Sequence, residues 1–508
     1  MKRIFSVAMA SVIAAMSVGY VPESPLPSVA ADVKFTHQEW TGKNGAEDVF
    51  AVNREEASAN PIPYQDTDSA VNAVWDYNAR EQSDYFQLLT GKGQNWELNV
   101  VQNAEKAQPF INGGFMNSNY SASPWDGWKT VSLPDSWTSQ GFDFPIYCNI
   151  QMPWQNKYDN YVTVPNAPTN YNPVGLYRKK FTVDEKMLNG GRRVSIQFDG
   201  VESAYYVYIN GKEVGYSEDT FSPHRFDITD YLVDGENTLA VEVHKFCDGT
   251  WFEDQDMIYD GGIFRDVFLV STPNARISDY TVRTELDDTY TNAELQMKVD
   301  VSNITGTEKN DWKIKVEAYD ENGKNILSDE TYDVPSMKRW SQESVFIYAK
   351  ATAPKLWSAE DPNLYALVIK LIDGSGKTAE VLSSQLGFRE IGFTATEVDN
   401  SYNVTTKSWK PITINGKRLL LKGVNRHDTD PFHGKAVPQE TMYEDIRLMQ
   451  KNNINAIRTS HYSNDSYLYW LCNKYGMYVM GETNMEAHAL MENDDGKALF
   501  YELAMDRT

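Results

Sequence analysis

Residues 418–434, RLLLKGVNRHDTDPFHG, 454–462, INAIRTSHY, and 477–488, MYVMGETNMEAH, decide the fold. Each opens on an apolar run and ends in polar and ionisable residues. Between them lie ETMYEDIRLMQKNN (440–453), with Met442, Ile446 and Met449 at helical spacing and Thr441 near its start, and YLYWLCNKYG (467–476), closed by a glycine. Strand, helix, strand, helix, strand with apolar strands means parallel pairing covered on both faces. A (β/α)₈ barrel is the leading expectation. A doubly wound sheet is the alternative, but no Gly-rich phosphate loop follows the first strand.

Outward from this stretch the grammar changes. Residues 192–246 read as strand after strand, with Asn210-Gly211 and Asp234-Gly235 as tight-turn signals. This predicts an antiparallel sandwich ending near Pro273. Residues 275–388 form a second β-rich block. AELQMKVDVSN (293–303), DWKIKVEAYDENGK (311–324) and LYALVIKLIDGSGK (364–377) alternate and end in Asn, Asp and Gly. About seven short strands in about 110 residues suit an immunoglobulin-like sandwich. Residues 32–127 give no clear reading beyond a helix-like stretch and the start of the sandwich.

At the N-terminus Lys2 and Arg3 precede an apolar run from Ile4 to Tyr20, with small residues beyond. That is the pattern of a secretory signal, so residues 1–31 are read as a signal peptide and the protein as secreted; an uncleaved anchor is the alternative. The domains expected are 32–273, 274–389 and 390–508. That division suits 508 residues, at roughly 100–200 residues per domain. A net charge of −24 repels phosphate backbones and anionic lipid, which excludes nucleic-acid binding as a leading function, disfavours anionic substrates and leaves neutral ligands and cations open. Three cysteines, Cys148, Cys247 and Cys472, are too few for a disulfide framework and wrongly spaced for a zinc cluster. The 30 Tyr and 13 Trp suggest flat rings for a sugar, although Tyr also fills strands.

In a (β/α)₈ barrel the reacting groups project from the C-terminal strand ends. His427 and His461 stand there; Glu482 is expected inside the third strand as a supporting residue, with Glu486 and His488 beyond it. Glu486 and His488, two apart, would share one face of an extended segment and could hold a divalent ion, or be a solvated pair. In WFEDQDMIYDGGIFRDVFLV (251–270), Glu253, Asp254 and Asp256 crowd beside aromatics, as a cation site, as hydroxyl acceptors or as a solvated acidic turn. Asn149 lies among aromatics in FPIYCNIQMPW (144–154) and could offer an amide to a sugar hydroxyl.

GVNRHDTDPFHG (423–434), NAIRTSHYSND (455–465), GETNMEAH (481–488), EDQDMIYDGGIFRDV (253–267) and LWSAEDPNLY (356–365) together resemble the β-galactosidases of glycoside hydrolase family 2. The resemblance runs from about Trp128 onward. It is closer to β-galactosidases than to β-glucuronidases or β-mannosidases, which stay as alternatives, as does a non-catalytic carbohydrate-binding protein. It implies a sugar-binding jelly roll, an immunoglobulin-like sandwich and a TIM barrel, and hydrolysis of terminal β-D-galactose with retention. It further implies that Asn149 and Asp256 bind the galactosyl unit, that His427 and His461 bind hydroxyls and support transition-state charge, that Glu486 and His488 hold Mg²⁺, and that Asp256 helps hold Na⁺. Asp428-Thr429 depart from the pattern of the best-known members, which bears on substrate preference. Homo-oligomers are common in the family, and no interface is legible. The acid/base glutamate expected in an Asn-Glu pair has no counterpart after Gly392. The acid/base and the nucleophile are therefore both expected beyond Thr508, which falls within the helix-like ALFYELAMDRT (498–508). The chain is expected to be the N-terminal part of a longer enzyme, without catalytic glutamates and inactive alone.

Overall fold

The computed structural model describes residues 49–149, 151–155, 162, 166–392, 411–487, 501 and 503–507. The signal-like segment, His488 and Thr508 lie outside them. The expectation that the catalytic glutamates follow Thr508 therefore falls outside the described residues as well.

A seven-stranded antiparallel sheet, in the order 51–52, 212–217, 204–209, 236–244, 174–182, 95–101, 129–132, packs on a four-stranded one in the order 224–227, 193–198, 267–272, 86–88. Leu98, Tyr177, Val207 and Val241 of the first sheet meet Ile196, Phe198, Phe226 and Leu269 of the second in one buried cluster. The Asn210-Gly211 turn joins strands 204–209 and 212–217 with both residues at positive φ, 53° and 80°, the geometry of a two-residue hairpin. Asp234-Gly235 instead leads into strand Glu236–His244, which pairs with strands distant in sequence.

The second block is a sandwich of three strands (275–286, 293–303, 341–351) on four (331–333, 313–319, 365–372, 378–386), seven in all as the alternation requires. Inward residues such as Leu295, Val299 and Ile347 bury against Val316, Leu367 and Ile369. One buried acid stands out. Glu380 Oε2 accepts from the Ile277 amide at 2.6 Å, and burial lifts its carboxyl from an ordinary 4.5 to about 7. An acid whose folded pKa is raised contributes stability that is complete below 4.5 and lost as pH rises through about 7. Glu380→Gln should therefore flatten the fall in urea midpoint between about pH 5 and pH 8; an unchanged slope would clear Glu380 as its source.

The third block has three parallel strands, Gly423–Arg426, Ala456–Thr459 and Tyr478–Met480, side by side in chain order. Helices Gln439–Lys451 and Ser466–Tyr475 form the crossovers. Strand, helix, strand, helix, strand with parallel pairing is the repeat of a (β/α)₈ barrel. The second helix ends as expected: Gly476 at φ 77° donates its amide to the Cys472 carbonyl. Two expectations shift. The first strand begins only at Gly423, while Leu420 and Leu421 are exposed; the apolar run is longer than the strand it announces. The third strand stops at Met480, so Glu482 stands beyond the strand end, not inside it.

The unread segment proves to be a strap. Helix Thr67–Trp75, capped by Asp66, buries Ala70 against Val368 and Val381 of the second sandwich. The Val74 carbonyl accepts from Trp470 Nε1 at 3.1 Å, tying the helix to the second barrel helix. Its amphipathic face is legible in sequence; that it spans two blocks is not.

Candidate functional site

The parallel register aligns Arg426 with Thr459 and Arg458 with Met480, so the residues just beyond them share one rim. His427 and His461 face each other there, ring centroids 5.8 Å apart at 78°. His461 Nδ1 lies 3.3 Å from Glu482 Oε2 and 3.6 Å from Glu486 Oε2. Arg458, His461, Glu482, Thr483, Met485 and Glu486 line a hollow of about 420 Å³. His427, His461 and Glu486 are thus gathered at one rim.

Each imidazole is held from behind. Tyr462, buried and stacked on Phe221 at 3.6 Å, places its hydroxyl 3.2 Å from His427 Nδ1. Burial and the facing His461 push the His427 pKa below its ordinary value, against the pull of the Asp256 and Glu486 carboxylates. At neutral pH the His427 ring is uncharged, suited to exchanging hydrogen bonds with neutral hydroxyls.

The first sandwich reaches the same rim through its backbone. The Asp254 amide donates to the Glu486 carbonyl at 2.9 Å and the Glu486 amide to the Phe252 carbonyl at 3.0 Å. This two-bond ladder fixes the segment that carries Glu486. It also separates the acidic trio. Glu253 and Asp254 are buried, and only Asp256 is exposed. Glu253 accepts from the Thr220 amide at 3.0 Å and from Asn484 Nδ2 at 2.8 Å, and pairs with Arg507 at 3.0 Å. The crowding seen in sequence is therefore not one shared cation site. Glu253 knits the interface, and Asp256 faces outward.

Asp256 precedes strand Met257–Tyr259, and Asn149 follows strand Ile146–Cys148. Because Cys148 pairs with Met257, the antiparallel register brings Asn149 and Asp256 to the same end of the ribbon, both exposed. Tyr147 donates its hydroxyl to Asp256 Oδ1 at 2.5 Å. Asp256 thus joins His427 by its electrostatic influence, and Asn149 by register.

Asp428 goes elsewhere. It is buried between Arg426 Nη1 at 2.6 Å and Arg265 Nη2 at 3.1 Å, so this departure from the expected motif serves the interface, not the hollow. Sequence reading gave no role to Arg458 or Tyr462. A signal existed for the first: an arginine inside the apolar strand of INAIRTSHY must find a partner, and does in Glu482, Nε to Oε1 at 2.6 Å.

Comparison with known proteins adds the following. The sugar binding domain model of glycosyl hydrolases family 2 matches residues 107–273, the model described as glycosyl hydrolases family 2 matches 275–389, and the TIM barrel domain model of the same family matches 404–507. The β-galactosidase of Priestia megaterium is 41% identical over 453 residues, covering 89% of this chain and 40% of that protein. The β-galactosidase of Halalkalibacterium halodurans is 36% identical over 441 residues, 87% of this chain and 39% of its own. The chain thus spans about 40% of the length of these curated relatives. Among solved structures, a Bifidobacterium dentium β-glucuronidase complexed with coumarin-3-O-glucuronide aligns with TM-score 0.61 at 20% identity, over 82% of this chain and 64% of that one. A putative β-galactosidase from Bacteroides fragilis aligns with TM-score 0.59 at 22% identity, over 78% and 53%. At such identities the structural likeness speaks for the fold. Three models of one family lie head to tail along the same three blocks that the sheets mark out: the chain belongs to glycosyl hydrolase family 2.

Proposed function

We propose that the chain carries the galactose-binding side of a retaining β-galactosidase. One observation carries this reading: His427, His461 and Glu486 converge on a single rim that Asp256 approaches from the first sandwich. A neutral sugar presents hydroxyls on several edges, and this rim offers neutral imidazole and carboxylate acceptors on two sides. His427 and His461 would meet hydroxyls from the barrel, Asp256 and Asn149 from the ribbon. The curated relatives named β-galactosidase favour galactose over the β-glucuronidase reading.

Retention needs two carboxyl groups about 5–5.5 Å apart, one offered to the leaving group and one to the anomeric carbon. Glu482 is engaged by Arg458 and Glu486 is fixed by the backbone ladder. Both read as supporting residues, and neither is offered as a nucleophile; the reading assigns the two reacting carboxyls to a region following Thr508. Glu486 fits a Mg²⁺ ligand in that its carboxylate lines the hollow as a hard oxygen donor; His488 would complete the pair. Asp256 likewise offers an outward carboxylate oxygen suited to Na⁺. Mg²⁺ bound there would place fixed positive charge beside the sugar. The reading also takes residues 1–31 as an export signal and the protein as secreted.

The 508-residue chain is expected to show saturation transfer to methyl β-D-galactoside, weakened in His461→Ala, and none to the β-D-glucuronide. It is expected to release no nitrophenol from an aryl β-galactoside. Preference for the glucuronide would replace the substrate assignment. Nitrophenol release would show that the catalytic carboxyls lie within these residues and not beyond Thr508.

A further inference from the structure

We infer that Arg458 is a positioning residue that fixes the tautomer of His461, leaving Nδ1 an acceptor and the ring proton on Nε2. Three groups surround Nδ1 of His461. Arg458 Nη2 lies 3.1 Å away with its N–H directed at the ring nitrogen. Glu482 Oε2 is 3.3 Å away, and Glu486 Oε2, at 3.6 Å, is beyond hydrogen-bond reach. A guanidinium has donors only and keeps its protons at any ordinary pH. The Arg458 contact therefore requires a lone pair on Nδ1, and the ring proton of the neutral imidazole must sit on Nε2.

Arg458 is not free to swing away. Its Nε donates to Glu482 Oε1 at 2.6 Å. Glu482 thus acts on the ring through Arg458: it tethers the guanidinium, and the guanidinium sets the ring. Without the guanidinium, the two carboxylates near Nδ1 would draw the ring proton to themselves and leave Nε2 an acceptor. The identity of the sugar rests on the galactoside reading above; the tautomer does not.

Ring-¹⁵N-labelled histidine in the full 508-residue chain tests this. Two-bond ¹H–¹⁵N correlations report which ring nitrogen carries the proton, and His461→Gln assigns the signal among the seven histidines. His461 is expected to be Nε2–H in the wild type, to reverse toward Nδ1–H in Arg458→Met, and to stay Nε2–H in Arg458→Lys, which keeps a cationic donor. A wild-type proton on Nδ1, or a tautomer ratio unmoved in Arg458→Met, overturns the inference. The wild-type spectrum decides alone if the Met variant loses the signals of its other histidines through misfolding. Titration with methyl β-D-galactoside separates the two claims: an intact Nε2–H tautomer without sugar binding supports the positioning role and counts against the galactoside reading.

Discussion

Lys435→Met should lower the stability of the chain by about 3–5 kcal/mol, the cost of breaking a buried ion pair from one side. Lys435 stands on the loop after the first parallel strand, yet its ammonium sits inside the first sandwich. Nζ donates to Glu202 Oε1 at 2.8 Å and to the Ile258 carbonyl at 2.5 Å, and both side chains of the pair are at most 3% exposed. Removing the ammonium leaves the Glu202 charge in a dry site with only the Asp260 and Gly261 amides on its other oxygen. The loop can enter because Gly434, at φ 61°, passes within a Cβ's reach of Asp260 and Ser136; an added Cβ would lie 2.6 Å from Asp260 Oδ2. Urea unfolding followed by tryptophan fluorescence measures the loss. Lys435→Met combined with Glu202→Gln should recover most of it, because no charge is left stranded. A double variant no more stable than the single one would show that the ammonium matters through packing alone.

Asp428→Ala should cost a similar amount, about 3–5 kcal/mol, for the complementary reason that it strands cations. Arg426 would keep Asp445, with Nε to Oδ2 at 2.9 Å. Arg265 would be left on backbone carbonyls, those of Phe221 at 2.9 Å and Ser463 at 2.8 Å. Burial pushes the Asp428 carboxyl up, but Arg426 and Arg265 outweigh it and hold it below its ordinary value of 3.8. Its contribution is therefore present above that value and lost as pH falls through the lower folded one. The gap between wild type and Asp428→Ala should narrow on acidification, read from urea midpoints at about pH 7 and about pH 3. A gap constant with pH would mean that the carboxylate's charge is not what stabilises the site.

Local signals carried the three blocks. The Asn210-Gly211 turn, the strict alternation of 293–303 and the apolar strands with intervening helices each depend on neighbours in sequence; each is present, with only the ends of the first and third parallel strands shifted. His427 and His461 were legible because strand ends in a parallel sheet must share a rim. What sequence could not show is which acids are buried. Glu253, Asp254 and Asp256 look alike in a row; Thr220, Asn484 and Arg507, 33 or more residues away, take Glu253 into the interface. Asp428 is the same case, since Arg265 is 163 residues from it. The helix of residues 67–75 was legible as helix-like but not as a strap, for a related reason: its apolar face meets Val368 and Val381 and its Val74 carbonyl meets Trp470, each nearly 300 or more residues downstream.

The paired amides and carbonyls of Phe252, Asp254 and Glu486 mean that the sandwich and the barrel are not interchangeable cassettes. A chimera that grafts a foreign sugar-binding module onto this barrel would have to restore that short ladder, or Glu486 would lose the frame that aims it.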